Sequence, residues 1–237
     1  MRVKELIKMD KIIFWDFQGT LAHNDWMVSK ALFKVLCNNE ISTTITLEDF
    51  KSKPIIGFPW QNHEIEYLHL TNSKDWWNHA EKIFMKTYMD LSITSEKAIN
   101  YARKVKEEFV KADEFILYED TIETLSYFKD EGYRNIILSN HIPELPEIIK
   151  ELGLDEYIDI CISSANVGYE KPNSKIFHYG LKMANYPREV WMVGDSFTAD
   201  VQGGEGVGIK SILVRSEERS DVKYYSKDLR GVKEFIR

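Results

Sequence analysis

Five short apolar runs constrain this chain more than any other feature: KIIFWD (11–16), RNIILSN (134–140), YIDICISS (157–164), EVWMVGD (189–195) and GIKSILVR (208–215). They are rich in β-branched residues, and their interiors are continuously apolar, without in-and-out alternation. That pattern belongs to parallel strands covered by helices on both faces. Helical patterns with recognisable ends lie between the later runs. Asp120 followed by Glu123 gives a capping-box-like start to a helix closed by Gly132, Pro172 suits the first turn of the helix before Asn185, and Gly153 follows PEIIKEL. The expectation is an α/β fold with a Rossmann-like parallel sheet.

The spacing of these runs is uneven. About a hundred residues separate the first from the second, whereas the rest follow at βαβ intervals. Residues 23–112 contain helical segments, DWMVSKALFKVLCNN, TLEDFKS, SKDWWNHAEKIFMKTYMD and SEKAINYARKVKEEFVKA, and no clear strand. The expected organisation is therefore a core domain of 1–22 and 113–237, with an all-helical cap, 23–112, inserted after the first strand. A length of 237 residues accommodates such a pair, since domains run to roughly 150 residues.

Lys and Arg number 31 against 38 Asp and Glu, a net charge of -7, which argues against nucleic-acid binding through a basic surface. It leaves room for a small anionic substrate, because one lysine and a few backbone N–H groups can hold a phosphate locally. Cys37 and Cys161 lie far apart and in no metal-binding spacing. No window reaches the roughly 18 apolar residues of a membrane span, and the N-terminus lacks a signal-peptide core. A cytoplasmic protein without a membrane partner is expected; the oligomeric state is not legible.

In an open parallel sheet, ligands bind beyond the carboxyl ends of the strands. The first strand runs into Asp16-Phe17-Gln18-Gly19-Thr20, the second into Ser139-Asn140, and the fourth into Gly194-Asp195-Ser196 with Asp200 further on; Glu170-Lys171-Pro172 follows the third. Carboxylates, a lysine and a small hydroxyl on one crevice suit phosphoryl transfer. A carboxylate can act as the nucleophile, Mg2+ held by acidic groups screens it from the phosphate, and lysine balances the transferring oxygens.

With these motifs in this order, the sequence resembles the haloacid dehalogenase superfamily of hydrolases from residue 11 to the C-terminus. The position of the insertion matches the subclass with a helical cap between the first and second motifs, subfamily I. The Gly-Asp-Ser-x-x-x-Asp-x-x-Gly-Gly stretch at 194–204 is similar to that of its phosphatases. The resemblance implies an aspartate nucleophile, Asp16, and Mg2+ held by Asp16, Asp195, the backbone carbonyl of Gln18 and Asp200, the last orienting a metal-bound water or Lys171. It further implies that Ser139 and the Asn140 backbone N–H hold phosphoryl oxygens, that Lys171 neutralises both Asp16 and the phosphate, and that Thr20 shapes the loop. The substrate would be a small phosphorylated metabolite.

One position departs from the phosphatase pattern, which carries an acid/base aspartate where this chain has Gln18. A carboxamide exchanges no proton near neutral pH, and losing a general acid or base costs about 10² to 10⁴ in rate. Three readings stay open: a working but atypical phosphohydrolase, a divergent C–P or C–halogen hydrolase, and a catalytically impaired protein that binds phosphate and Mg2+. His23, two residues past Leu21, is the candidate substitute acid and substrate contact. Trp26, Trp60, Trp76 and Trp77 sit at spacings that suit the cap's own core as well as a ligand.

Overall fold

The computed structural model describes residues 11–236. Eight strands are β1 (Lys11–Trp15), β2 (Ala22–His23), β3 (Ile116–Leu117), β4 (Arg134–Ser139), β5 (Ile160–Ser163), β6 (Glu189–Gly194), β7 (Lys210–Val214) and β8 (Tyr225–Ser226). Six of them form one sheet in the order β5-β4-β1-β6-β7-β8, and every neighbouring pair is parallel. The expected α/β architecture is present, with all five apolar runs in the sheet. The part of the expected core that precedes residue 11 lies outside the described residues.

Both faces of the sheet are covered, which is why the runs do not alternate. Ile12 and Phe14 of β1 pack with Ile136, Leu138, Met192 and Phe177 on one side. Ile13 and Trp15 join Ile137, Val193, Leu125 and Phe128 on the other. The helix Ser174–Met183 covers the first side and Thr121–Asp130 the second. Trp15 also donates its indole N–H to Asn135 Oδ1 at 3.0 Å, so the one polar atom of this buried ring is satisfied.

Between β2 and β3 the chain is helical: α1 (Met27–Asn39), α2 (Leu47–Lys51), α3 (Ser73–Asp90), α4 (Ser95–Ala102) and α5 (Val105–Phe109). The later helices are α6 (Thr121–Asp130), α7 (Leu145–Glu151), α8 (Ser164–Val167), α9 (Ser174–Met183) and α10 (Gly203–Glu205), with a π-helical turn at Phe197–Gln202. Trp77 of α3 is buried against Phe84 and Phe109, and Trp76 against Phe58 and Trp60, so these two tryptophans build the helical core. The hydrophobic cluster runs without a break from α1 and α3 into the inner face of the sheet.

Several local expectations are corrected. The single helix read over 95–112 is two helices that break at Arg103 and Lys104. Residue 23 belongs to a strand, because β2 pairs antiparallel with β3 where the chain leaves and re-enters the sheet region. Asp120 makes no cap for α6; its carboxylate instead accepts from the Arg215 guanidinium and from the Leu229 N–H at 2.9 Å. The helix α9 begins at Ser174 under an Asn173 side-chain cap, placing Pro172 ahead of it. Capping a helix competes here with fastening the C-terminal segment, and the buried ion pair takes the carboxylate.

Candidate active site

The loop after β1 turns within a few residues because the Phe17 carbonyl accepts from the N–H groups of Thr20, Leu21 and Ala22. Gly19 makes this turn at φ +92°, and a side chain there would strike the Asp195 carboxylate. Asp16 is fixed at the end of β1 by its N–H, which donates to the Val193 carbonyl at 2.9 Å. Thr20 donates its hydroxyl to Asp195 Oδ1 at 3.1 Å, a partner 175 residues away rather than within its own loop.

Lys171 joins the two sides of the site. Its Nζ lies 2.7 Å from Asp16 Oδ1 and 2.5 Å from Asp200 Oδ1, and its side chain is almost fully buried. The backbone of Lys171 is clamped by the Asn140 side chain, which accepts from its N–H at 2.7 Å and donates to its carbonyl at 2.9 Å. Asp200 stands on the π-helical turn, where Asp200 Oδ2 accepts from the Ser196 N–H at 3.0 Å. Both of its oxygens are therefore engaged in holding Lys171 and the turn.

The electrostatics show a charge imbalance. Burial alone would push the Lys171 ammonium towards neutrality, yet Asp16 and Asp200 outweigh it and hold the group up at about 12. One lysine cannot offset three carboxylates. Burial, with Asp16 and Asp200 nearby, pushes the Asp195 carboxyl well above the usual carboxylate range, and burial also raises Asp200 against the pull of Lys171. One oxygen from each of Asp16, Asp195 and Asp200 lies within 4.8 Å of the others. Three carboxylates and one ammonium leave a surplus of negative charge, and the all-oxygen donor set suits a hard divalent cation such as Mg2+.

A cavity of about 500 Å³ opens on this cluster. Asp16, Gln18, Asn140, Lys171, Asp195 and Asp200 line its floor, and Trp26, Met27, Val28 and Trp60 line its outer wall. Ser139 sits fully buried at the end of β4, with no hydrogen-bond partner for its hydroxyl among the described residues, and is not part of the cavity lining. His23 is not brought in either. Its ring lies 5.0 Å from that of Tyr118 and its Nδ1 is 3.7 Å from Asp25, because strand pairing in β2 turns it away from the cavity lining. Gln18 donates from Nε2 to the Asn24 carbonyl at 3.2 Å.

Sequence reasoning passed over His141, which lines the cavity and is 2 % exposed. Its position directly after Ser139-Asn140, at a strand's carboxyl end, was the available signal. Of the tryptophans between β2 and β3, Trp26 and Trp60 line the cavity; only the folded chain separates them from Trp76 and Trp77.

The fold is thus a parallel α/β sheet with a buried carboxylate–lysine cluster at the carboxyl ends of its strands and a helical insertion between β2 and β3. The chain belongs to the haloacid dehalogenase-like hydrolase family, which it matches over residues 11–208. It is 30% identical over 217 residues to haloacid dehalogenase-like hydrolase domain-containing protein 3 of Mus musculus, covering 89% of this chain and 84% of that protein. A glyceraldehyde 3-phosphate phosphatase of Methanothermobacter thermautotrophicus is 37% identical over 102 residues, covering 42% of this chain and 45% of that protein. In fold it is similar to a HAD phosphatase from Thermococcus onnurineus, with a TM-score of 0.62 over 95% of this chain and 97% of that one at 24% identity.

Proposed function

We propose that this protein is a Mg2+-dependent phosphohydrolase that cleaves a small phosphorylated metabolite through an aspartyl-phosphate on Asp16. The observation that carries this reading is the convergence of Asp16, Asp195, Asp200 and Lys171 on the floor of one cavity. Similarity to a glyceraldehyde 3-phosphate phosphatase and to a ribulose-1,5-bisphosphate 5-phosphatase supports the substrate class. Residues 23–112 would act as a cap that selects the leaving group.

Asp16, Asp195 and the main-chain carbonyl of Gln18 would hold the cation, with Asp200 beside them. When bound, Mg2+ supplies positive charge between the carboxylates and the phosphate. An Asp16 oxygen attacks phosphorus, forming the new O–P bond as the ester oxygen departs with its electron pair. Lys171, kept protonated by Asp16 and Asp200, balances charge on the transferring oxygens, while the N–H of Asn140, which lines the cavity, would hold them. Water then attacks the phosphorus, and inorganic phosphate leaves as the Asp16 carboxylate is restored. Gln18 neither gives nor takes a proton in either half, so the leaving oxygen draws its proton from water, at a cost of about 10² to 10⁴ in rate.

Phosphate release from an aryl phosphate tests this reading, because an aryl leaving group demands little of a general acid. Wild-type turnover should depend on Mg2+ and vanish in Asp16→Asn, and Gln18→Asp should raise it. Activity confined to Gln18→Asp would favour the alternative that the bond from Gln18 to the Asn24 carbonyl belongs to a phosphate-binding protein without turnover.

A further inference from the structure

The cavity wall holds buried polar atoms that the reaction above does not use. Both ring nitrogens of His141, Gln18 Oε1 and Asn24 Oδ1 are shielded from solvent and have no hydrogen-bond partner among the described residues. All three residues line the same cavity as Asp16. Buried groups left unpaired cost free energy comparable to a lost hydrogen bond, so several of them on one ligand cavity need a reason.

His141 is held where a reading residue would have to be. Its N–H donates to Ser164 Oγ at 3.1 Å, and its carbonyl accepts from Ser163 Oγ at 2.9 Å. Its ring packs edge-on to Phe17, 5.6 Å between centroids, and 5.7 Å from Phe115. Burial lowers its basicity to about 4, so the imidazole is neutral near pH 7, with one donor and one acceptor nitrogen. A neutral imidazole does not stand in for the missing acid, but it does bind a hydroxyl. Gln18 Oε1 and Asn24 Oδ1 are acceptors only, and they call for O–H donors on the ligand.

We infer that His141, with Gln18 and Asn24, reads hydroxyl groups on the leaving group, so that the preferred substrate is the phosphate ester of a polyol or sugar and not of an aryl alcohol. This rests on the phosphohydrolase reading for the phosphate end and adds the recognition of the alcohol end. Both nitrogens are shielded in this structure, so contact with a ligand hydroxyl requires the ring to turn about χ2, a broad torsion in histidine. The apolar side chains of Trp26, Met27, Val28 and Trp60 face the carbon skeleton. His141 is thus a specificity-determining residue.

The test measures affinity without turnover, by calorimetric titration of glycerol 3-phosphate and phenyl phosphate into Asp16→Asn with Mg2+. Glycerol 3-phosphate should bind about tenfold more tightly than phenyl phosphate, and adding His141→Phe should reduce that ratio about fivefold or more. His141→Gln, which restores a donor and an acceptor, should recover part of it, and Asn24→Ala should lower it independently. His141→Phe alone should raise the melting temperature by about 2 to 4 °C, since an apolar ring replaces two unpaired nitrogens. An absent preference, or a ratio unmoved by both His141→Phe and Asn24→Ala, overturns the inference. If His141→Phe does not fold, Asn24→Ala and His141→Gln decide it. Wild-type phosphate release is scored separately: no turnover with the preference intact sinks the phosphohydrolase reading alone.

Discussion

Glu170 adjoins Lys171 and is 1 % exposed, with Oε2 unpartnered among the described residues. Burial raises its carboxyl from 4.5 to about 7. A carboxyl raised on folding binds more protons in the native than in the unfolded chain between those two values. Its contribution to stability is therefore complete below pH 4.5 and is lost as pH rises through about 7. At 1.36 kcal/mol per unit, the loss above pH 7 is of order 3 kcal/mol. Glu170→Gln should be the more stable protein in urea at pH 8, with the advantage gone at pH 4; equal midpoints at pH 8 would contradict this. Asp16, Lys171, Asp195 and Asp200 were legible at this scale because each follows a strand in a fixed order. His141 and Asn24 were not, since nothing in their local pattern marks a side chain as unpaired. The partner that the Asn140 side chain clamps, Lys171, lies 31 residues further along the chain.

At the scale of elements, the ends of β1 and β6 are built around glycines that leave room for carboxylates. A methyl group on Gly194 would overlap the Asp200 carboxylate, dislodging the partner that holds Lys171. Gly153 after α7 adopts φ +71° with nothing within 4 Å of an added Cβ, so there only the backbone pays. Gly153→Ala should lower stability by about 1 kcal/mol and leave turnover intact, whereas Gly194→Ala should lower kcat tenfold or more. Thermal unfolding and steady-state kinetics on the pair check this, and equal kcat values would contradict it. The five long strands were readable because burial on both faces leaves an unbroken apolar run. β2, β3 and β8 span two residues each, too few to carry a period. The break between α4 and α5 at Arg103-Lys104 was hidden because its flanks keep a helical pattern.

At the scale of the whole molecule, an acidic chain gathers three carboxylates at one buried point and relieves them with one lysine. A cation that binds this point stabilises the native state by mass action, by about 2.7 kcal/mol at a hundredfold excess over its dissociation constant. Mg2+ should raise the melting temperature of the wild type and leave that of Asp195→Asn nearly unchanged. An equal shift in both would place the cation elsewhere. Among the described residues no helix is long and apolar enough to cross a membrane.

The central claim is that Asp16 is a working nucleophile in a site whose acid/base position is held by Gln18. With an aryl phosphate, the first half-reaction escapes the missing acid while hydrolysis of the aspartyl-phosphate lacks its base, so the intermediate accumulates. Rapid mixing of wild-type protein, Mg2+ and an aryl phosphate should therefore release a burst of aryl alcohol equal to the enzyme concentration, followed by a slow steady rate. Gln18→Asp should remove the burst by accelerating the second step. Neither a burst nor turnover in the wild type, with the protein folded and Mg2+ bound, would contradict the claim.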